Sequence, residues 1–192
     1  MAAVYATMGQ VEAKSRLIEF TLKQDFPAGL DRLWVTFSRS SYAKQKYVAL
    51  GSKVVRVRRF RVTAQTIQVD LERDIPVEIS RFPLWARAMT GRRQMLRHRT
   101  KWRRIDPTEV VAELDISAVG LSVGAHGLGT IVEMAPQRTR MTLKWHVESP
   151  LPVIGKRVER LFAQEMRAAL ADDHRFTLQY LCDLTHERWT VG

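Results

Sequence analysis

At 192 residues the chain can bury roughly 70% of its unfolded surface as one domain, and its 45% apolar content excludes a disordered protein. A single cysteine, Cys182, excludes an intramolecular disulfide, and no apolar run approaches the roughly 18 to 20 residues that span a bilayer. The net charge of +11 points toward an anionic partner, such as nucleic acid or a membrane surface.

The N-terminus, Met1 to Arg16, lacks the continuous apolar core of a secretory signal. Together with the lone cysteine this gives a cytoplasmic address as the expectation. From Arg16 to Phe26 the sequence alternates, with Ile18, Phe20 and Leu22 on one face and Glu19, Thr21 and Lys23 on the other. That period of two predicts a half-buried strand. Pro27, Gly29 and Asp31 end it, and Gly29 or Asp31 starts a short helix carrying Leu30, Leu33, Trp34 and Phe37. A second short helix, about Ser41 to Leu50, stops at Gly51.

Lys53 to Thr63 is β-rich and basic, and a phase shift near Arg58 and Arg59 predicts a bulge. Ile67, Val69 and Leu71 alternate with Gln68, Asp70 and Glu72 as a third strand. Ser80 to Gln94, which contains Pro83 and Gly91, is a long connection with at most one helical turn. Four more strands follow: Met95–Ile105, Glu109–Ala118, Thr130–Ala135 and Thr139–Glu148. Asp106-Pro107, the Gly-rich Gly120–Gly129 stretch and Pro136-Gln137 separate them as turns, with Val119–Gly127 open between strand and loop. After Pro152 the period changes to 3.6, with Val158, Leu161, Phe162, Met166, Ala169 and Leu170 on one face. This helix runs near 30 residues, with a weak point at Asp172-Asp173-His174 and a frayed tail from Thr185. The expected division is an extension at 1–15, one domain at 16–184 and a tail at 185–192.

The charge is uneven. Between Ile79 and Ile105 there is no Asp or Glu, while Arg81, Arg87, Arg92, Arg93, Arg97, Arg99, Lys101, Arg103 and Arg104 carry most of the excess. Register places Arg56, Arg59 and Arg61, then Asp70, Glu72 and Asp74, then Arg97, Arg99, Lys101 and Arg103 on successive outer faces. Glu113 and Asp115, then Glu133, then Arg138, Arg140 and Lys144 follow. The sign alternates strand by strand, so a solvated cross-strand ladder accounts for most strand arginines without any ligand. The connection is different. Arg81, Arg87, Arg92 and Arg93 stand among Trp85 and Met89, a mixture that suits a gate over a pocket or an anionic membrane, and also single-stranded nucleic acid.

The inward faces are apolar. His98 and Trp102 on the fourth strand, Leu114, Met141, Trp145, Phe162 and Met166 are the candidate lining of an internal cavity. A lone histidine among apolar neighbours is more often a core group than a catalyst, so His98 is the one weak acid–base candidate and no catalytic residue is assigned. Glu165 falls at the boundary of the last helix's apolar face, His126 in the Gly-rich stretch, and His146 on an outer face. No metal-ligand spacing, P-loop or nucleophile elbow exists, so no metal and no cofactor are expected. Gly124 to Gly129 lacks the spacing and following helix of a dinucleotide fingerprint.

The first-strand segment Ile18-Glu19-Phe20-Thr21-Leu22, the segment Phe26-Pro27-Ala28-Gly29-Leu30-Asp31-Arg32-Leu33-Trp34 and the final helix resemble the START-like superfamily, also called helix-grip, Bet v 1-like or SRPBCC. More narrowly they resemble a mainly actinobacterial branch of it without assigned function. The resemblance spans about Arg16 to Leu184 and implies an α+β fold. A curved seven-stranded antiparallel sheet would grip a long C-terminal helix, with two short helices between strands 1 and 2. It also implies a pocket between sheet and helix. Three functions stay open: a binding or transfer protein for a hydrophobic small molecule or lipid, peripheral to the membrane in one version; a cofactor-free cyclase or aromatase using the same cavity; and a basic nucleic-acid-binding module.

Overall fold

The computed structural model describes residues 18–187, except 79, 81, 82 and 88–90. Element order is β1 (Ile18–Phe26), α1 (Leu30–Phe37), α2 (Ser40–Ala49), β2 (Val55–Val62), β3 (Thr66–Pro76), α3 (Leu84–Arg87), β4 (Arg93–Arg104), β5 (Glu109–Ala118), β6 (Gly124–Ala135), β7 (Arg138–Glu148) and α4 (Gly155–Glu187). All strands form one antiparallel sheet in the order β1-β7-β6-β5-β4-β3-β2. The chain enters on one edge, crosses through α1 and α2 to the other edge, and meanders back. α4 then lies against β1 and β7 and reaches α2. This is the α+β helix-grip arrangement that the sequence implies.

Alternation decides which faces are buried. Met141, Leu143, Trp145 and Val147 of β7 all point inward and are buried, as are Leu96 and His98 of β4. The bulge falls where the phase shifts, between Val57 and Arg59. Gly51 closes α2 with φ of 86°, a conformation that favours glycine. On the outer face one row runs Arg59, Asp70, Arg99, Asp115, His126, His146 and Glu19, with each residue opposite the next. Glu72 binds both Arg58 (2.9 Å) and Arg97 (3.0 Å). Much of the strand charge is therefore neutralised where it stands.

Five expectations need correction. The Gly-rich stretch is strand: β6 begins at Gly124, six residues before Thr130, so His126 is a strand residue. Its glycines serve packing. A side chain on Gly127 would collide with the Trp145 ring, and one on Gly129 would press Leu143 and Ala112. Asp74 is buried at 6% exposure, because the backbone at Lys53 and Val54 folds over it. Glu133 does not face out; it accepts from the Leu30 N–H and caps α1, whose Gly29 offers no side chain for the task. α4 runs unbroken through Asp172–His174 and on to Glu187, past the position assigned to the tail. Finally, Arg93 belongs to β4 and has a partner, Asp74.

The meander fixes the two ends of the sheet. α1 lies near the end of β6. The other end receives the β3–β4 connection, the β5–β6 turn at 119–123 and the 149–154 link to α4. Among the described residues no helix is long and apolar enough to cross a membrane.

Candidate ligand cavity

Between the concave face of the sheet, α2 and α4 lies a cavity of about 610 Å³. All seven residues named as cavity lining border it: His98, Trp102, Leu114, Met141, Trp145, Phe162 and Met166. Two periodicities put them there. Strand alternation aims His98, Trp102, Leu114, Met141 and Trp145 inward, and the 3.6 period of α4 turns Phe162 and Met166 to face them. Trp102 stacks on Phe37 at 5.8 Å, so α1 fixes its ring.

The residues named for a gate do not act alike. Trp85, on α3, lines the cavity. Arg87 is exposed and donates to the Ser80 carbonyl at 2.9 Å. Arg92 is exposed. Arg93 donates to the Gly51 carbonyl at 2.8 Å and to the Asp74 carboxylate, and so ties β4 to α2 and β3. Asp74 also accepts from the N–H groups of Lys53 (2.8 Å) and Val54 (2.7 Å). The Arg93 hydrogen bond, helped by these backbone donors, holds its carboxyl at a pKa of about 2. Arg81 and Met89 lie outside the described residues.

One corner of the cavity is polar, and most of it escaped the sequence reading. Arg73 of β3 points inward and is 6% exposed. Its Nε donates to His98 Nε2 at 3.1 Å, and its guanidinium lies 4.4 Å from the centre of the Tyr47 ring. A guanidinium can only donate, so Nε2 accepts and the imidazole is the neutral tautomer protonated on Nδ1. Burial, with the charges of Arg73 and Lys46, holds His98 well below its ordinary value of 6.5. A neutral ring whose Nε2 lone pair is occupied is poorly placed to act as a base there.

Beside it, Lys46 of α2 pairs with Asp173 of α4 at 2.9 Å. Burial opposes the ammonium charge, but the Asp173 carboxylate and two tyrosines more than offset it, so Lys46 is held above its ordinary value. Thr177 donates to the Asp173 carbonyl (2.8 Å), so Tyr42 donates to the Thr177 hydroxyl (2.7 Å). Burial pushes the Tyr42 hydroxyl up to about 12. Gln24 of β1 closes another gap by donating to the Leu170 carbonyl at 2.9 Å. Glu165 lines the cavity half-buried, as its boundary position implies. The available signal was parity: Arg73 falls on the inward phase of Ile67, Val69, Leu71 and Ile75, where a charge is out of place.

The sequence matches the family described as protein of unknown function (DUF2505) across residues 21–181. The chain belongs to that family. No protein of curated function matches it in sequence. Solved structures share the fold at low identity. TTHA0849 from Thermus thermophilus superposes with a TM-score of 0.57 at 12% identity, covering 87% of this chain and 99% of that one. The Zhui aromatase/cyclase from Streptomyces sp. R1128 gives 0.55 at 11% identity, covering 86% and 93%. Dicamba monooxygenase bound to 3,6-dichlorosalicylic acid gives 0.53 at 9% identity, covering 88% of this chain and 51% of that one. The fold of this DUF2505 member is therefore START-like.

Proposed function

We propose that this DUF2505 protein binds an apolar small molecule or lipid between its sheet and α4. The observation that carries the reading is the cavity of about 610 Å³, walled by Trp85, Trp102, Leu114, Trp145 and Phe162 with polar groups such as Arg73, His98, Gln24 and Glu165 set into it. That volume and that balance of apolar wall to a few polar groups are those of small-molecule sites. Two fold neighbours agree at a coarse level: one is an aromatase/cyclase, and one holds an aromatic small molecule. Binding or transfer is favoured over catalysis because the His98 lone pair is engaged by Arg73. The outer-face ladder weighs against a nucleic-acid module.

In this reading the connection between β3 and β4 gates the cavity, with Trp85 on its wall. The end of the sheet that carries this connection also exposes apolar side chains: Leu84 is 80% exposed and Val153 100%. Val153 holds a φ of 64°, unusual for a β-branched residue. With exposed Arg87 and Arg92 nearby in the connection, this end suits contact with an anionic membrane.

Titration with the uncharged dye N-phenyl-1-naphthylamine tests the reading. Saturable one-to-one fluorescence enhancement, lost in Leu114→Trp, is expected. Absence of binding, or binding unchanged in a folded Leu114→Trp, would overturn it.

A further inference from the structure

We infer that the cavity ligand carries a carboxylate, which pairs with Arg73; this rests on the apolar-ligand reading above. Arg73 is a permanent cation, 6% exposed, in the wall of a mostly apolar cavity. Among the described residues no carboxylate lies within ion-pair distance of it. Its inner-face neighbours on β3 are Leu71 and Ile75, and its partners across the sheet are Val55 and Leu96. A buried charge without a counter-charge is costly, so a protein that keeps one has a use for it.

None of the carboxylates that line the cavity, Glu78, Glu165, Asp172 and Asp173, pairs with Arg73. Asp74, next in the chain, points to the opposite face and is held by Arg93 and two backbone N–H groups. Asp173 is paired with Lys46 at 2.9 Å, and Asp172 with Arg175. Glu165 lies on α4 more than two turns before Asp173, about 12 Å along the helix axis. Lys46 and Asp173 cancel and His98 is neutral, so this corner holds one net positive charge.

The geometry also selects the kind of anion. Arg73 spends Nε on His98 and leans its guanidinium on Tyr47. His98 and Tyr47 thus hold the fork still. Nη1 and Nη2 make no hydrogen bond among the described residues, yet neither is among the buried atoms sealed off without a partner. Arg73 lines the cavity, and its two remaining donor nitrogens match the two oxygens of a carboxylate. The apolar wall then takes the rest of the molecule. The ligand class is an apolar acid with one carboxylate, seated head-in at Arg73.

Competition against bound N-phenyl-1-naphthylamine at pH 7.5 tests this, with decanoate and decan-1-ol as a pair that differs in the head group. Decanoate is expected to displace the dye at least tenfold more effectively. Arg73→Met should reduce that preference, read as the acid-to-alcohol ratio within each protein, to less than threefold; Arg73→Lys should fall between. Equal displacement by acid and alcohol in the wild type, or a preference that survives in Arg73→Met, would overturn the inference and leave the apolar cavity standing. If Arg73→Met does not fold, the wild-type comparison decides alone. Failure of the dye itself to bind would remove the apolar-ligand reading and this inference with it.

Discussion

Gly127 sits beneath Trp145, so alanine at this position presses on the cavity wall from behind. A Cβ there would lie 2.7, 2.8 and 2.9 Å from Cε3, Cζ3 and Cδ2 of the Trp145 ring. A fused ring cannot yield by bending; it has to tilt into the cavity that it lines. Overpacking of this kind costs about 1–3 kcal/mol, while removing glycine from a strand returns about 0.5–1 kcal/mol. The steric effect wins, and Gly127→Ala should lose about 0.5–2 kcal/mol. Urea unfolding measures it. In a Trp145→Leu background the same alanine should stabilise by about 0.5–1 kcal/mol, so the coupling energy of the double-mutant cycle should equal the whole overpacking cost of about 1–3 kcal/mol. Naphthylamine affinity should also drop in Gly127→Ala as the ring intrudes. An alanine variant as stable as the wild type, or equally costly with and without the Trp145 ring, would refute the packing explanation for the glycines of β6.

Other predictions test the corners of the site. Asp74→Asn should cost about 2–4 kcal/mol in urea unfolding, because Oδ1 still accepts from both N–H groups while the amide NH2 in place of Oδ2 faces the Arg93 guanidinium, donor against donor and without a counter-charge. Asp74 lies below its ordinary 3.8, at about 2, so its contribution is present above about pH 4 and is lost as pH falls toward 2. His98 also loses stability on acidification, but in a higher window. Its native value is depressed, so below about pH 6.5 the unfolded chain takes up a proton that the folded chain refuses. His98→Gln keeps an acceptor for Arg73 and should flatten that slope, by up to about 1.4 kcal/mol per pH unit, in unfolding measured from pH 7 to 5.5. For the membrane reading, Leu84→Asp with Val153→Asp should abolish sedimentation with phosphatidylglycerol vesicles without lowering the unfolding midpoint; unchanged sedimentation would count against it.

The fold was legible where one periodicity ran without interruption. β7 shows period two in Met141, Leu143, Trp145 and Val147, and α4 shows period 3.6, so both could be placed from the sequence. The start of β6 was not legible, because Gly124, Gly127 and Gly129 carry the signature of a turn. Only the ring on the neighbouring strand shows that the glycines are there for space. The apolar lining could be read for the same reason as the strands. The polar corner could not, since Lys46, Tyr47, Arg73 and Asp173 come from three elements with no shared spacing. Arg73 was the exception that parity could have exposed. Asp74 was misplaced because alternation gives its side but says nothing of the Lys53–Val54 backbone that covers it.

If the space between sheet and α4 holds an apolar small molecule, that molecule should travel with the protein. Native mass spectrometry of the wild-type protein purified from its own host, followed by solvent extraction, tests it most directly. A defined apolar adduct at one per chain is expected, missing from Leu114→Trp prepared in the same way. A wild-type protein that is empty under conditions that preserve such complexes, or an adduct that persists when the cavity is filled, would contradict it.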